Sequence, residues 1–258
     1  MLRQLRLILT AVQFFTRLPV PTWVGHSTQQ LEQAARYLPL VGMLVGAIAA
    51  AVLYLAAQAL PLSLAVGLSM VASILVTGAF HEDGLSDFAD GFGGGHTKEK
   101  MLAIMKDSRV GAYGAIAIVL ALLLKYQALV ELCGKHSLTF AATALIAAHA
   151  VSRLMAASIM LTQQYVRDDD SARARPAAQL GRASFAVALL TGIAALAILY
   201  AAGATVTTIF AAAVAALLMR AYLAWRLQQR LGGYTGDCLG AVQQLTEIAF
   251  YLGLLAAL

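Results

Sequence analysis

The sequence predicts an all-α, polytopic helical membrane protein with about seven transmembrane helices and an N-terminal interfacial amphipathic helix. Of its 258 residues, 60% are hydrophobic and 12% are charged, whereas roughly a quarter of the residues in a soluble domain are charged. Several apolar runs reach the length of about 20 residues that crosses a bilayer. Basic and nearly uncharged connecting segments alternate between these runs. We therefore treat residues 1–258 as a single integral-membrane domain, with the lipid bilayer as a partner.

The N-terminal segment, residues 2–18, is predicted to form an amphipathic helix that lies on the membrane surface. Polar residues recur there at steps of three and four, opposite an apolar stripe. The polar stripe consists of Arg3, Arg6, Thr10, Gln13 and Arg17, and the apolar stripe of Leu2, Leu5, Leu9, Val12 and Phe15. Pro19 and Pro21 are expected to end the helix. The segment lacks the small-residue cleavage site of a signal peptide.

Seven apolar runs are predicted to span the membrane. They cover approximately residues 38–60, 62–80, 111–132, 138–162, 184–203, 204–226 and 239–258. Short cytoplasmic loops carry an excess of Lys and Arg, so the alternation of basic loops places the N-terminus in the cytoplasm and the C-terminus outside. Cys133 and Cys238 then lie on opposite sides and cannot form a disulfide. The net charge of +5 follows from this topology, and we expect no nucleic-acid partner.

An acidic segment between the second and third runs is the main candidate for a site. Residues 81–111 hold six of the thirteen acidic residues of the chain. If this segment is helical, Asp83, Asp87 and Asp90 fall at i, i+4 and i+7 on one face, with Glu82 beside them. Like charges on one face repel each other unless a cation is present, and Mg²⁺ takes such oxygen ligands together with substrate phosphates. The pattern predicts a Mg²⁺ site.

Glycines and basic residues follow the carboxylates. Glycines at 91 and 93–95, among them Gly93 and Gly94, would let backbone N–H groups approach an anion, while Lys106 and Arg109 would supply positive charge. Asp107 has three readings: a metal ligand, a base, or the partner of Lys106 or Arg109. The alternative for the whole stretch is a solvated loop whose charges keep it out of the bilayer.

Charged residues inside the predicted spans form a second set of candidates. His149 and Arg153 lie one turn apart in the fourth span, and an arginine there must find an anion or water. Arg153 and Glu247 lie about 13 Å and about 12 Å below the cytoplasmic surface at 1.5 Å per residue. We therefore expect these two side chains to be neighbours. The alternative is that Arg153 reaches towards substrate phosphates.

Two further loops carry polar residues. Residues 232–237 have the glycine density of a backbone that approaches a ligand, which makes Thr235 and Asp237 candidate binding residues; a tight turn is the alternative. The loop at 163–183 contains Asp168, Asp169 and Asp170, followed by several arginines. We interpret it as a solvated, self-neutralising loop, with a metal cluster as the alternative.

The acidic segment resembles the signature of a known family. The resemblance rests on the runs FHEDGL at 80–85, ADG at 89–91, IMKDSRVG at 104–111, FTRLPVP at 15–21 and GGYTGDCLG at 232–240. These runs are similar to those of the cobalamin synthase family, the adenosylcobinamide-GDP ribazoletransferases, and they are spread over nearly the whole chain. The resemblance implies the last step of nucleotide-loop assembly, in which adenosylcobinamide-GDP and α-ribazole, or its 5′-phosphate, give the cobalamin and GMP.

This chemistry assigns expected roles to the candidate residues. Asp83 and Asp87 are the expected Mg²⁺ ligands, and Glu82 and Asp90 either complete the coordination or supply the base. Asp107 is a further candidate for the base. The expected substrate and phosphate contacts are Lys106, Arg109, Gly93, Gly94, Arg153, Thr235, Asp237 and Arg17.

Two other functions are alternatives to this one. A CDP-alcohol phosphotransferase does similar chemistry, but only Asp83-Gly84 matches its motif. A cation transporter would place its carboxylates near the bilayer midplane, whereas these are expected in a loop of about 30 residues at the surface. Two kinds of protein partner stay open: a second copy of the chain, and other enzymes of nucleotide-loop assembly.

Overall fold

A computed structural model describes residues 2–25, 27–167 and 180–258. The predicted self-neutralising loop with Asp168, Asp169 and Asp170 lies outside the described residues. Within the described ranges the chain forms helices and no β-strand. The helices are α1 (Leu2–Phe15), α2 (Thr28–Ala34), α3 (Leu38–Ala56), α4 (Leu62–Thr77), α5 (Phe80–Gly94), α6 (Lys98–Lys106), α7 (Ala112–Lys135), α8 (Leu138–Thr162), α9 (Arg182–Ala201), α10 (Val206–Leu231) and α11 (Gly236–Ala256).

The predicted count of membrane spans is confirmed. Six described helices are long and apolar enough to cross a bilayer, and α4 with α5 makes a seventh candidate if the pair is one span. That pair is bent by 87°, so the predicted second span, 62–80, is interrupted near its end. Gly78 and Ala79 both adopt left-handed conformations at the bend, with φ of 66° and 59°. The bend could not be predicted from the apolar character of the run.

The bend is held by the segment that follows α1. The Arg17 backbone N–H donates to the Val76 carbonyl at 2.7 Å, and the Arg17 side chain occupies the space that a β-carbon at Gly78 would need. Helix α1 therefore ends at Phe15, before Pro19 is reached. The structure places Arg17 at this bend, where it fixes the start of the acidic helix α5.

Helix α1 packs differently from its predicted stripes. Leu7, Thr10, Ala11 and Phe15 are its buried residues, whereas Leu2 and Leu5 of the apolar stripe are exposed. Thr10 belongs to the predicted polar stripe, but its hydroxyl accepts a hydrogen bond from Gln30 at 3.1 Å. Helix α2 therefore covers part of the polar face, which the sequence pattern assigned to water.

Helices α8 and α11 form the centre of the bundle, and most of their length is buried. Helix α3 crosses α8 closely, because a β-carbon at Gly42 or Gly46 would overlap the α8 backbone at His149 or Ile146. Close contact through small residues is common between membrane helices, where apolar burial contributes little to association. Helices α4, α7, α9 and α10 expose large apolar side chains on the outside of the bundle. Among the described residues, the buried charged and histidine side chains lie on α5, α7, α8 and α11.

Candidate active site

The acidic segment is helical, which is the condition under which its aspartates share one face. It is not the surface loop expected above, because residues 80–94 form α5 and residues 98–106 form α6. Helix α5 crosses α11 at two glycines. A β-carbon at Gly84 would lie 3.0 Å from the Asp237 carbonyl oxygen, and one at Gly240 would lie 3.0 Å from the His81 carbonyl oxygen. This close crossing brings the start of α11 against the carboxylates of α5.

The crossing creates a cluster of three carboxylates, from Asp83, Asp87 and Asp237. Burial opposes the charge of Asp87, as do the charges of Asp237, Asp83 and Asp90, whereas the guanidinium of Arg167 favours it. Arg167 donates to the Asp237 carboxylate at 3.1 Å, and both side chains are about one-fifth exposed. Among the described residues, Arg167 is the cation that acts on these acids, so a bound cation would further reduce their mutual repulsion.

Two connecting segments hold Arg167 and Asp237 together. The Val166 N–H donates to the Tyr234 carbonyl at 3.0 Å, and the Tyr234 N–H donates to the Gln164 carbonyl at 2.9 Å. A β-carbon at Gly233 would overlap the Gln164 carbonyl oxygen, so this glycine is needed for the contact. The Thr235 hydroxyl caps α11 and donates to Asp237 at 3.3 Å. These contacts hold Asp237 next to Arg167, and the predicted approach of residues 232–237 to a ligand stays a prediction.

The carboxylates of Asp83 and Asp87 fit a magnesium site in which substrate supplies some of the remaining ligands. Within the described residues, no group of three or more His, Cys, Asp or Glu side chains is arranged to hold a metal by itself. Mg²⁺ is usually held by one or two carboxylates, with waters and substrate phosphates as the remaining ligands. Asp83 and Asp87, one helical turn apart and facing Asp237, match that partial ligand set.

Asp90 has a different environment from the other two aspartates of α5. Its carboxylate accepts hydrogen bonds from the Gly111 N–H at 2.7 Å and the Gly114 N–H at 2.9 Å. Both oxygens therefore cap the N-terminus of α7, where unpaired N–H groups favour a negative charge. The expected third carboxylate of the cluster is supplied by Asp237, and Asp90 fixes α7 against α5.

Glu82 makes its hydrogen bond outside the cluster. One of its oxygens accepts from the Gln244 amide at 2.9 Å, and the other is buried without a partner among the described residues. Its charge acts on Arg153. Glu82 therefore lies between the carboxylate cluster and the buried polar residues of α8 and α11.

The glycines at the end of α5 serve in packing. A β-carbon at Gly93 would overlap the Tyr113 ring, and one at Gly94 would touch Ile104 at 3.4 Å. Both glycines lie inside α5, where backbone N–H groups bond to carbonyls one turn earlier. Helix packing therefore explains these two glycines, and the helix uses their N–H groups; anion binding by Gly93 and Gly94 stays a prediction.

The basic residues after α6 are near the surface. The Arg109 guanidinium pairs with Asp107 at 2.6 Å, and its side chain is 87% exposed. Hydrogen bonds from Arg109 lower the pKa of Asp107 to about 2. Of the three readings of Asp107, the structure shows the pairing with Arg109. Lys106 is exposed at the end of α6.

A buried polar network lies between α7, α8 and α11. The Lys125 ammonium contacts the Glu247 carboxylate at 2.6 Å, with side chains 3% and 0% exposed. His149 lies 3.6 Å from the same carboxylate. Arg153 contacts His149, at 3.1 Å to the ring nitrogen Nδ1 and 3.0 Å to the backbone carbonyl.

The predicted pairing of Arg153 with Glu247 is therefore wrong in its details. Both residues belong to one network, but His149 lies between them and Lys125 is the direct partner of Glu247. Sequence reasoning missed Lys125, although a lysine within an apolar run of α7 is itself a signal of a buried partner. Arg167 likewise lies in a connecting segment of the sequence, where no local pattern indicates its contact with Asp237.

The sequence matches the model of the cobalamin-5-phosphate synthase family over residues 7–255. A relative named adenosylcobinamide-GDP ribazoletransferase, from Shewanella frigidimarina, is 48% identical over 256 residues, covering 99% of this chain and 96% of its own. The relative of that name from Leptothrix cholodnii is 48% identical over 257 residues, with 99% and 97% covered. No solved structure is significantly similar. The chain belongs to the cobalamin-5-phosphate synthase family.

Proposed function

We propose that this chain is an adenosylcobinamide-GDP ribazoletransferase. It joins adenosylcobinamide-GDP to α-ribazole, or to α-ribazole 5′-phosphate, and releases GMP. The observation that carries the proposal is the carboxylate cluster of Asp83, Asp87 and Asp237 beside Arg167, in a chain whose relatives have this name. Carboxylates for a metal next to a guanidinium for phosphate are the groups that transfer of a phosphate-linked group requires.

The proposed reaction is an attack by a ribose hydroxyl of ribazole on the phosphorus bonded to cobinamide. The oxygen–phosphorus bond to ribazole forms, the bond from that phosphorus to the oxygen of GMP breaks, and GMP leaves with that oxygen. Asp83 and Asp87 would hold Mg²⁺, which would neutralise charge on the diphosphate. A carboxylate of the cluster that is not bound to the metal accepts the hydroxyl proton.

Arg167 is the proposed contact for the phosphate of the leaving GMP. Its ion pair with Asp237 keeps the guanidinium at the cluster, and its partial exposure leaves donors for a ligand. Lys106 and Arg109 are further proposed phosphate contacts. Arg109 would have to exchange Asp107 for the phosphate, which its exposed position permits.

We place this site on the cytoplasmic side of the bacterial inner membrane. The support is the distribution of Lys and Arg, which are concentrated in alternate connecting segments. Asp237 is in the first turn of α11 and Arg167 follows the end of α8, so the cluster lies at one end of the bundle. Substrates made in the cytoplasm would reach it there.

Turnover by purified protein tests the proposal. Protein in detergent is incubated with Mg²⁺, adenosylcobinamide-GDP and α-ribazole or its 5′-phosphate, and GMP and the cobalamin product are measured. Stoichiometric formation of both is expected. Absence of product with both forms of ribazole, from protein that is folded, would refute the assignment.

A further inference from the structure

A cavity inside the bundle opens beside the carboxylate cluster. Its walls come from the end of α1, the starts of α3, α5 and α11, the second half of α8, and the segments that follow α8 and precede α11. Five aromatic rings contribute to its lining: Phe14, Phe15, Phe80, Tyr165 and Tyr234. The rings of Phe14 and Phe15 both lie 6.1 Å from that of Phe80, at steep angles. Such a lining favours a flat aromatic guest.

Two buried polar atoms in the wall lack partners. Arg153 and Gln243 both line the cavity and are almost completely buried. In the part of the chain that the structure describes, neither Nε of Arg153 nor Oε1 of Gln243 has a hydrogen-bond partner. Buried polar groups are normally satisfied. The cavity therefore presents one donor and one acceptor to a guest.

The orientation of Gln243 is fixed by its neighbours. Its amide nitrogen donates to the Glu247 carboxylate at 2.6 Å and to the Ser152 hydroxyl at 3.0 Å. A carboxylate accepts hydrogen bonds and does not donate them, so the amide oxygen must be the atom without a partner. A guest with a hydroxyl group can donate to that oxygen.

The cavity is adjacent to the reacting groups. Gly236 and Gly240 are part of its wall, and they flank Asp237 of the cluster on α11. Phe80 is also in the wall, and on α5 it shares a helix face with Asp83 and Asp87 at i+3 and i+7. A guest that fills the cavity therefore has one end beside the carboxylates.

We propose that this cavity binds the aromatic base of α-ribazole and directs its ribose towards Asp83, Asp87 and Asp237. The inference rests on the proposed function. α-Ribazole is a ribose joined to a flat bicyclic base with one accepting ring nitrogen, which suits Arg153 Nε, and its hydroxyls suit Gln243. Adenosylcobinamide-GDP fits less well, because its diphosphate is charged, its corrin is much larger than a bicyclic ring, and its guanine has many more polar atoms than this lining satisfies.

Two variants test the assignment, one by filling the cavity and one by removing an aromatic ring from its lining. Ala156→Leu adds three carbons to a small wall residue and fills part of the cavity. Phe80→Leu removes one ring from the lining, and because Phe80 is 42% exposed this variant is expected to fold even if the first does not. The matched control is Phe210→Leu, on the outside of α10, where the ring is 68% exposed.

Affinity is measured by equilibrium dialysis of α-ribazole against detergent-solubilised protein, without the second substrate. Ala156→Leu should raise the Kd of α-ribazole at least about tenfold, and Phe80→Leu a few-fold, since losses of this size follow from poor fit in an apolar pocket. The KM for α-ribazole should rise in parallel, with the KM for adenosylcobinamide-GDP changed by less than about twofold. Phe210→Leu should match the wild type.

Two results would overturn the inference. One is unchanged α-ribazole affinity in the folded variants. The other is a rise in the KM for adenosylcobinamide-GDP in place of that for α-ribazole, which would assign the cavity to the guanine. Failure of the proposed function is a separate result, because it is absence of GMP and cobalamin with the wild-type protein, whatever α-ribazole binds.

Discussion

The buried pair of Lys125 and Glu247 gives the sharpest prediction about stability. The two side chains meet at 2.6 Å and are almost completely buried. Removing one member of a buried ion pair leaves an uncompensated charge and costs about 3–5 kcal/mol. Glu247→Gln should fall at the upper end of this range, because Lys125 and Arg153 both lose their nearby carboxylate. Lys125→Met should fall at the lower end.

The milder effect of Lys125→Met follows from the other contacts of Glu247. His149 lies 3.6 Å away, Gln243 donates at 2.6 Å, and Tyr251 donates at 3.3 Å. These groups can stabilise the carboxylate in part when the lysine is gone. In the double variant neither charge of the pair is left, so its loss should be smaller than the sum of the single losses by about 1–3 kcal/mol.

Reversible unfolding in mixed detergent and SDS micelles, followed by helicity, measures these free energies. Glu131→Gln is the control, because Glu131 is exposed on the same helix as Lys125 and contacts Gln127. It should unfold like the wild type. Strictly additive losses in the double variant, or a Lys125→Met protein as stable as the wild type, would show that the pair contributes no net coupling.

Four further predictions concern the site and the topology. Asp83→Asn or Asp87→Asn should abolish GMP release without impairing membrane insertion, and wild-type turnover in either would contradict the metal role. EDTA should stop turnover and added Mg²⁺ restore it; activity that survives EDTA would exclude the metal. Asp90→Asn should lower the unfolding free energy by about 1 kcal/mol, because the charge at the N-terminus of α7 and one accepting oxygen are lost, and unchanged stability would contradict that. A reporter active only in the periplasm should work after Leu258; cytoplasmic activity there would mean a miscounted span.

Most helices could be predicted because span length and apolar composition are local properties. The predicted spans 111–132 and 138–162 correspond to Ala112–Lys135 and Leu138–Thr162. The bend at Gly78 and Ala79 was not predictable in the same way. It depends on a backbone hydrogen bond from Arg17, 59 residues earlier than Val76, and no local pattern contains that contact.

The site was predicted in part, for a related reason. Helical spacing placed Asp83 and Asp87 together, but the same spacing also included Asp90, which the N-terminus of α7 binds. Spacing along one helix shows which residues share a face. It does not show which neighbouring helix supplies donors to each of them, and Asp237 could join the cluster only because Gly84 and Gly240 let α5 and α11 approach.

The membrane depth of a charged residue, estimated from its position in a span, predicts its neighbours only in part. Matching depths correctly placed Arg153 and Glu247 in one layer, but the order of helices around that layer brought in Lys125 from α7. This matters for the cavity. Because Lys125 balances the Glu247 charge directly, Arg153 is not held in that ion pair, and its Nε is left at the cavity wall. One network can therefore stabilise the bundle and still present a donor to a substrate.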